Sequence, residues 1–420
     1  MERSRQIPNA PRDWKPQKPD SGRSYEIELI TPMVGGGATV GKVDTDFPIR
    51  PTAIRGHLRH WWRLVRGHSL GDGMWRREEE IFGSTEFPSP LTIKVSPGPK
   101  KPTLYAISKI KPTSTHGYIL FPAIDKGHDL LEHGYQFQLT LSIIPKDELQ
   151  RRRDGQNRKR KPTEQPPAAI TPIEEDVQAA MRAWVLFGGV GARTRRGCGA
   201  LRMIKEPGPS PVSQPDQLLK RTLHEMPAEV QVFQSHAPAP HLQAWEQVIK
   251  MLKTFRQPPP ARRGEPRRKF PEAETLRRIT GVRGRRNRPI AEKDMPSGFP
   301  RAELGLPIVF HFKDGSGPDG ETALPHGKDA DGKPLQRMGS PVILKPIPVS
   351  ATESIPTLIV LRRPTGLLVD VANASRQPVT GSQFSDYEAS PLKEFSKSGS
   401  ALEAFLAYAK SQGFTEVTRS

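Results

Sequence analysis

The order in which two kinds of apolar periodicity follow one another is what most limits the folds open to this chain. Tyr25-Glu26-Ile27-Glu28-Leu29-Ile30 alternates apolar and acidic residues, the period of a half-buried strand. A glycine-rich segment comes next. Ile54, Leu58, Trp61, Trp62 and Val65 then recur at helical spacing over about Thr52 to Arg66, and Gly67 stands where that helix should end. A short helix is predicted from Trp75 to Phe82, and strands at Leu91–Val95, Leu104–Ile107, Tyr118–Phe121 and Tyr135–Ile144. Further on, Thr171-Pro172-Ile173-Glu174 has the form of a capping box with proline at the first helical position. Val177, Ala180, Met181 and Trp184 give that helix its apolar stripe, and a strand over about Cys198 to Ile204 closes the series. Strand, helix, several strands, helix, strand is the order of a ferredoxin-like α+β sandwich.

Residues 1–22 read as a flexible tail, residues 23–206 as one ferredoxin-like domain, and residues 207–420 as a second α+β domain. Each domain carries a basic, proline-bearing insertion, at about 145–170 with Arg151–Lys161 and at about 257–290 with Arg262–Arg288. In the second half, Leu242, Trp245, Ile249 and Leu252 mark a helix. Strands are predicted at Leu306–Phe312, Val342–Leu344, Thr357–Arg362 and Leu367–Val371, with a last helix from about Ala401 to Ser411. This domain could be a degenerate copy of the first, although no repeat is visible residue by residue.

The hydrophobic fraction, 35%, falls below the roughly 45–50% of globular chains, and 45 prolines deepen the shortfall. Packed cores must therefore alternate with long irregular connections. The formal net charge of +19 repels itself in the folded state and calls for a polyanion. No apolar run approaches the roughly 20 residues needed to cross a bilayer. Met1 to Asp20 lacks the apolar stretch of a secretory signal. A lone cysteine, Cys198, allows neither an internal disulfide framework nor a cysteine metal cluster. The expectation is a cytoplasmic protein, without a membrane partner, whose counter-charge is nucleic acid.

Three segments carry the features such a partner requires. In Thr31–Lys42, three consecutive glycines, Gly35, Gly36 and Gly37, let backbone N–H groups approach a phosphate. Gly36, Gly41 and Lys42 nearly spell a nucleotide-binding P-loop, but Val43 replaces the hydroxyl that would hold magnesium, and the next helix starts too late. In the second segment, Arg50 precedes a helix whose Arg55, Arg59 and Arg66 share one face, with Arg63 nearby and no carboxylate of the same helix to pair with them. Such a row suits the sugar–phosphate backbone of a single strand. The third segment, Gly188 to Gly199, joins Gly188, Gly189, Gly191 and Gly197 to Arg193, Arg195 and Arg196, combining close backbone approach with charge and planar stacking. Acid–base chemistry is sparse. Asp44 and Asp46, or His57 and His60, are the only candidates for RNA cleavage, and they lack a positioned partner or metal cage. No cofactor and no metal is expected.

The run Ile30-Thr31-Pro32-Met33 into Gly35-Gly36-Gly37, then Pro48-Ile49-Arg50, Ile54-Arg55-Gly56-His57-Leu58-Arg59 and Trp61-Trp62-Arg63, resembles the first RAMP subunit of type III-B CRISPR effectors, the Cmr complexes. Gly188–Gly197 resembles the glycine-rich loop of RAMP proteins. Leu304-Gly305-Leu306-Pro307-Ile308 and Ser340–Pro346 are similar to C-terminal motifs of the same family. The resemblance implies tandem ferredoxin-like domains and a non-catalytic subunit that engages crRNA and target RNA near the crRNA 3′ end in antiviral defence. It implies the sixth RAMP subunit and the repeated backbone subunit as neighbours. Cleavage in such complexes is assigned to the backbone subunit. Two other readings stay open on the residues: a RAMP-type endoribonuclease using Asp44, Asp46, His57 or His60, and a DNA-binding or scaffolding protein.

Overall fold

The computed structural model describes residues 22–105, 107–111, 114–144, 172–207, 215–257, 270, 272–281, 298–310, 312, 322–364, 367–371, 379–380 and 400–419. The expected tail up to residue 21, the insertion at 145–170 with Thr171, and most of the insertion at 257–290 lie outside the described residues.

Strand β1 is Arg23–Leu29, and its alternation buries Tyr25, Ile27 and Leu29 between more exposed glutamates. Helix α1, Pro51–Val65, starts at a proline and buries Ile54, Leu58, Trp61, Trp62 and Val65, as the spacing predicts. Helix α2 is Met74–Phe82, strand β2 Leu91–Pro97 and helix α3 Thr115–Asp125. Strand β3, Gln136–Ile143, helix α4, Ile173–Phe187, and strand β4, Leu201–Lys205, complete the unit. The sheet order is β2-β3-β1-β4, antiparallel throughout, with α1 packed against α4. This is the ferredoxin-like arrangement.

Asp176, only 2% exposed, ties the helices of this layer together. It accepts hydrogen bonds from Trp62 Nε1 of α1 (3.1 Å) and from Arg77 Nε (3.0 Å) and Nη2 (2.5 Å) of α2.

The second half repeats the topology. Helix α5, Pro215–His224, leads into strand β5, Gln231–Ser235, and helix α6, His241–Arg256. Helix α7, Glu272–Thr280, lies within the second expected insertion. Strands β6, Val342–Pro348, and β7, Glu353–Val360, form a hairpin, followed by helix α8, Ala401–Ser411, and strand β8, Phe414–Glu416. The order β6-β7-β5-β8 is again antiparallel and matches the first sheet strand for strand. The copy invisible in the residues is therefore plain in the topology. A separate small sheet joins Ile308–Val309, Thr322–Pro325, Leu368–Val371 and Val379–Thr380.

Four expectations about elements need correction. Tyr118–Phe121 is not a strand but part of α3. Ser114 caps that helix by accepting a hydrogen bond from Gly117 N–H (2.9 Å), while Ile119, Leu120 and Ala123 bury in a cluster shared with α6. Tertiary burial there outweighs the β propensity of the aromatic and branched residues. The strand expected at Leu104–Ile107 covers only Leu104–Tyr105, which pairs with Leu130–Leu131. That expected at Leu306–Phe312 covers only Ile308–Val309. The last strand of the first domain begins at Leu201 rather than Cys198, because Gly197 and Gly199 have positive φ and shape a turn.

Candidate nucleic-acid interface

The first glycine segment leaves Met33–Val34, a short strand paired with Leu130–Leu131. Gly35 and Gly36 have φ of 64° and 113°, where glycine is favoured. The second glycine segment comes directly against it. Ala192 N–H donates to Val34 O (2.9 Å), Gly199 N–H to Pro32 O (2.9 Å), and Thr31 Oγ1 to Gly197 O (2.6 Å). Gly191, at φ 76°, lies so close that a Cβ would stand 2.5 Å from Met33 Cγ and 2.7 Å from Val34 O. The two segments, far apart in the sequence, are one structure.

Between them and α1 runs an open groove of about 340 Å³, bordered by Gly36, Arg50, Ala53, Gly56, His57 and Gly191. No side chain caps the N-terminus of α1, and its first residue is proline, so the positive end of the helix borders the groove. Arg50 Nη2 is shielded from solvent and has no hydrogen-bond partner. A Cβ on Gly56 would meet nothing within 4 Å. A lining arginine, a helix N-terminus and side-chain-poor backbone together suit an anion such as a phosphate.

The other predicted residues are placed differently. Arg59 and Arg63 are not unpaired: both grip Glu78 of α2, which is 1% exposed. Arg59 Nε and Arg63 Nη2 each lie 2.7 Å from Glu78 Oε1. These two arginines hold the Glu78 carboxyl below the usual range despite its burial, which acts in the opposite direction. Arg66 reaches Glu225 instead, at 3.3 Å. Arg55 donates to Phe82 O (3.2 Å), Ser89 Oγ (2.7 Å) and Leu91 O (2.8 Å). The expected row of free arginines is therefore a seam between α1, α2 and β2, formed because the partners come from outside the helix. Lys42 turns to Asp129, at 3.2 Å.

Gly188 and Gly189 make room for packing: a Cβ on Gly188 would meet Trp61 Nε1 at 2.6 Å, and one on Gly189 would meet Gly199 O at 2.7 Å. The arginines of the second loop turn toward neighbouring carbonyls. Arg193, itself at φ 61°, donates to Ile119 O (2.5 Å). Arg195 Nη1 donates to Ser340 O, and Arg196 Nη1 to Val342 O (3.2 Å) and Ser340 Oγ (3.3 Å), all in the second domain. Burial and the nearby Arg256 push the Arg196 guanidinium down to about 10, so it stays charged at neutral pH. Gly197 fits against Trp245 and Leu344 O, where a Cβ would stand 2.6 and 2.7 Å away.

Asp44 Oδ1 accepts N–H groups of Asp46 and Phe47, both at 3.0 Å, and so shapes a turn. His57 is held below its usual pKa by burial. His60 is pushed down to about 4, by burial first and then by Arg195, His57 and Arg63. Both rings are therefore neutral near pH 7. Among the described residues, no group of three His, Cys, Asp or Glu side chains is placed to hold a metal ion.

Sequence reasoning missed Lys345 and Glu78. Lys345 is fully buried in β6, with Nζ donating to Val185 O (2.6 Å) and Gly188 O (2.8 Å) at the end of α4. Its signal was a lysine inside the apolar run Val342–Pro348.

The sequence model of the RAMP superfamily matches residues 26–202. No curated protein matches the chain. Among solved structures, the chain is similar to the apo form of Cmr1 from Pyrococcus furiosus, with a TM-score of 0.48 and 14% identity over 94% of this chain and 98% of that one. It is also similar to a chain of the type III-B Cmr-beta complex bound to cognate target RNA, with a TM-score of 0.45 and 11% identity over 94% of this chain and 99% of that one.

Proposed function

We infer, from a chain whose residues 26–202 are a RAMP-superfamily domain, that this protein is an RNA-binding subunit of a type III-B CRISPR effector of the Cmr kind. One observation carries the reading. The two glycine segments meet through Ala192 N–H and Val34 O and border a groove that Arg50 and the uncapped start of α1 also line. Such a groove takes the backbone of a single strand, with glycines allowing close approach and Arg50 meeting a phosphate. The role proposed is to engage crRNA and the target paired with it near the crRNA 3′ end, beside the sixth RAMP subunit and the repeated backbone subunit, in cytoplasmic antiviral defence.

We propose that the chain does not itself cleave RNA. Asp44 is occupied in a turn, and His57 and His60 are neutral near pH 7, a poor setting for a general acid.

Gly56→Leu is the cleanest test. Leucine is a better helix former than glycine, and the space beside Gly56 is open, so the fold should hold while the groove fills. Binding of labelled single-stranded RNA should weaken strongly in this variant, and Arg50→Ala should lower the salt slope by about 0.7, the value of one phosphate contact. Unchanged affinity in both variants would remove the groove from RNA binding. The same labelled RNA, incubated with and without chelator, should stay intact; cleavage lost in Asp44→Ala would overturn the non-catalytic assignment.

A further inference from the structure

The basic surface continues past the second glycine loop. Arg193, Arg195 and Arg196 direct their side-chain hydrogen bonds to the carbonyls of Ile119, Arg195, Ser340 and Val342 and to the Ser340 hydroxyl. Arg256, Arg337 and Arg362 of the second domain stand close by. Arg195 lies against Gly339, two residues from Arg337: a Cβ on Gly339 would be 2.8 Å from Arg195 Nη1. Leu361, which precedes Arg362, lines a small cavity together with Arg195, His57 and His60. Burial is the main cause of the lowered pKa of Arg193, Arg195 and Arg196, and Arg337, Arg362 and Arg256 respectively lower them further.

None of these six arginines lies within ion-pair distance of a carboxylate among the described residues, whereas several arginines elsewhere have one. Glu78 serves Arg59 and Arg63, and Glu225 serves Arg66, Arg182 and Arg221. Arg337 and Arg362 are exposed. A cluster of like charges left uncompensated at a domain junction works against folding unless an external anion neutralises it. The cluster is also continuous with the groove, because His57 lines both the groove and the cavity beside Arg195.

We propose that the RNA strand leaves the groove past His57 and crosses the domain junction, with Arg337 and Arg362 of the second domain as further phosphate contacts beside Arg193 and Arg195. This rests on the RNA reading above and extends it from one domain to both. The chemistry recognised is that of a polyribonucleotide backbone, read through charge and not sequence.

The test uses the full-length protein and a labelled oligouridylate, with affinity measured across a range of salt. Arg337→Ala combined with Arg362→Ala should weaken binding roughly tenfold near 0.15 M salt and lower the salt slope by about 1.4, two contacts at roughly 0.7 each. Arg337→Lys with Arg362→Lys should restore most of both. If the alanine pair binds like wild type while Gly56→Leu binds weakly, the junction path is wrong and the groove stands. If neither changes, the RNA reading itself falls. A weakened alanine pair with an unchanged slope would also overturn the phosphate assignment. So would displacement of RNA by polyglutamate that depends on the pair more than RNA binding does, because the junction would then suit an acidic polypeptide.

Discussion

Lys345 shows what a single side chain does here that its neighbours in sequence do not announce. It sits among Val342, Ile343, Leu344 and Ile347 in a buried strand, and its Nζ satisfies Val185 O and Gly188 O, carbonyls that the end of α4 leaves without helical partners. Burial pushes its pKa well below the ordinary lysine value. Lys345→Met keeps the volume and removes the donors, so we expect a loss of about 2–4 kcal/mol in chemical denaturation, from two stranded carbonyls. The pH dependence has a definite sign. Between the lowered folded-state pKa and the unfolded value near 10.5, the unfolded chain binds more protons, so wild-type stability gains relative to Lys345→Met as pH rises through that window. A difference that is flat with pH, or falls, would contradict it. At this scale the sequence showed which residue types collect at the site. It did not show their partners, since Glu78, Phe82, Leu91, Ser340 and Val342 lie on other elements.

Elements were readable where one face is apolar at a regular period. Helices α1, α2 and α8 and strands β1, β2 and β3 fall within a residue or two of their expected bounds, except where strands extend further into buried positions, and α6 contains all four residues expected to mark it. Helix α3 was misread because Tyr118–Phe121 is apolar throughout, and a short unbroken run has no period to choose between helix and strand. The Ser114 cap was the available clue. The contact between elements depends on Asp176, which joins α4 to Trp62 of α1 and Arg77 of α2 in the interior. Asp176→Asn leaves Arg77, which also lies 3.0 Å from Glu80, with one of its carboxylate partners replaced by a neutral amide where little water reaches. Weakening hydrogen bonds to a charged group of this kind costs about 1.5–3 kcal/mol, so the urea midpoint of the variant should fall below that of wild type. A midpoint within error of wild type would mean that the Asp176 contacts contribute little to holding α1, α2 and α4 together.

At the scale of the whole molecule, the two ferredoxin-like units share one interior. Leu219, Leu223, Val232, Ile343, Ile347 and Ile359, all beyond residue 206, belong to the same hydrophobic cluster as Ile27, Trp62 and Trp184. A fragment ending at residue 206 would expose that cluster and lose the Lys345 cap. We expect it to bind a hydrophobic dye and to lack the cooperative thermal transition of the full chain; a sharp transition near the full-length value would show the first unit to be self-sufficient. The sequence by itself determined the two α+β units, the faces of most helices and strands, and the concentration of glycine and arginine in two loops, because periodicity and composition are local properties of a chain. Only the tertiary structure decided that those loops touch, and that the α1 arginines are consumed by Glu78, Glu225 and backbone carbonyls. It alone left Arg50 with a spare donor and put Arg337 and Arg362 beside the second loop. Pairing between charges depends on which distant elements the shared core brings together, and no local pattern encodes that.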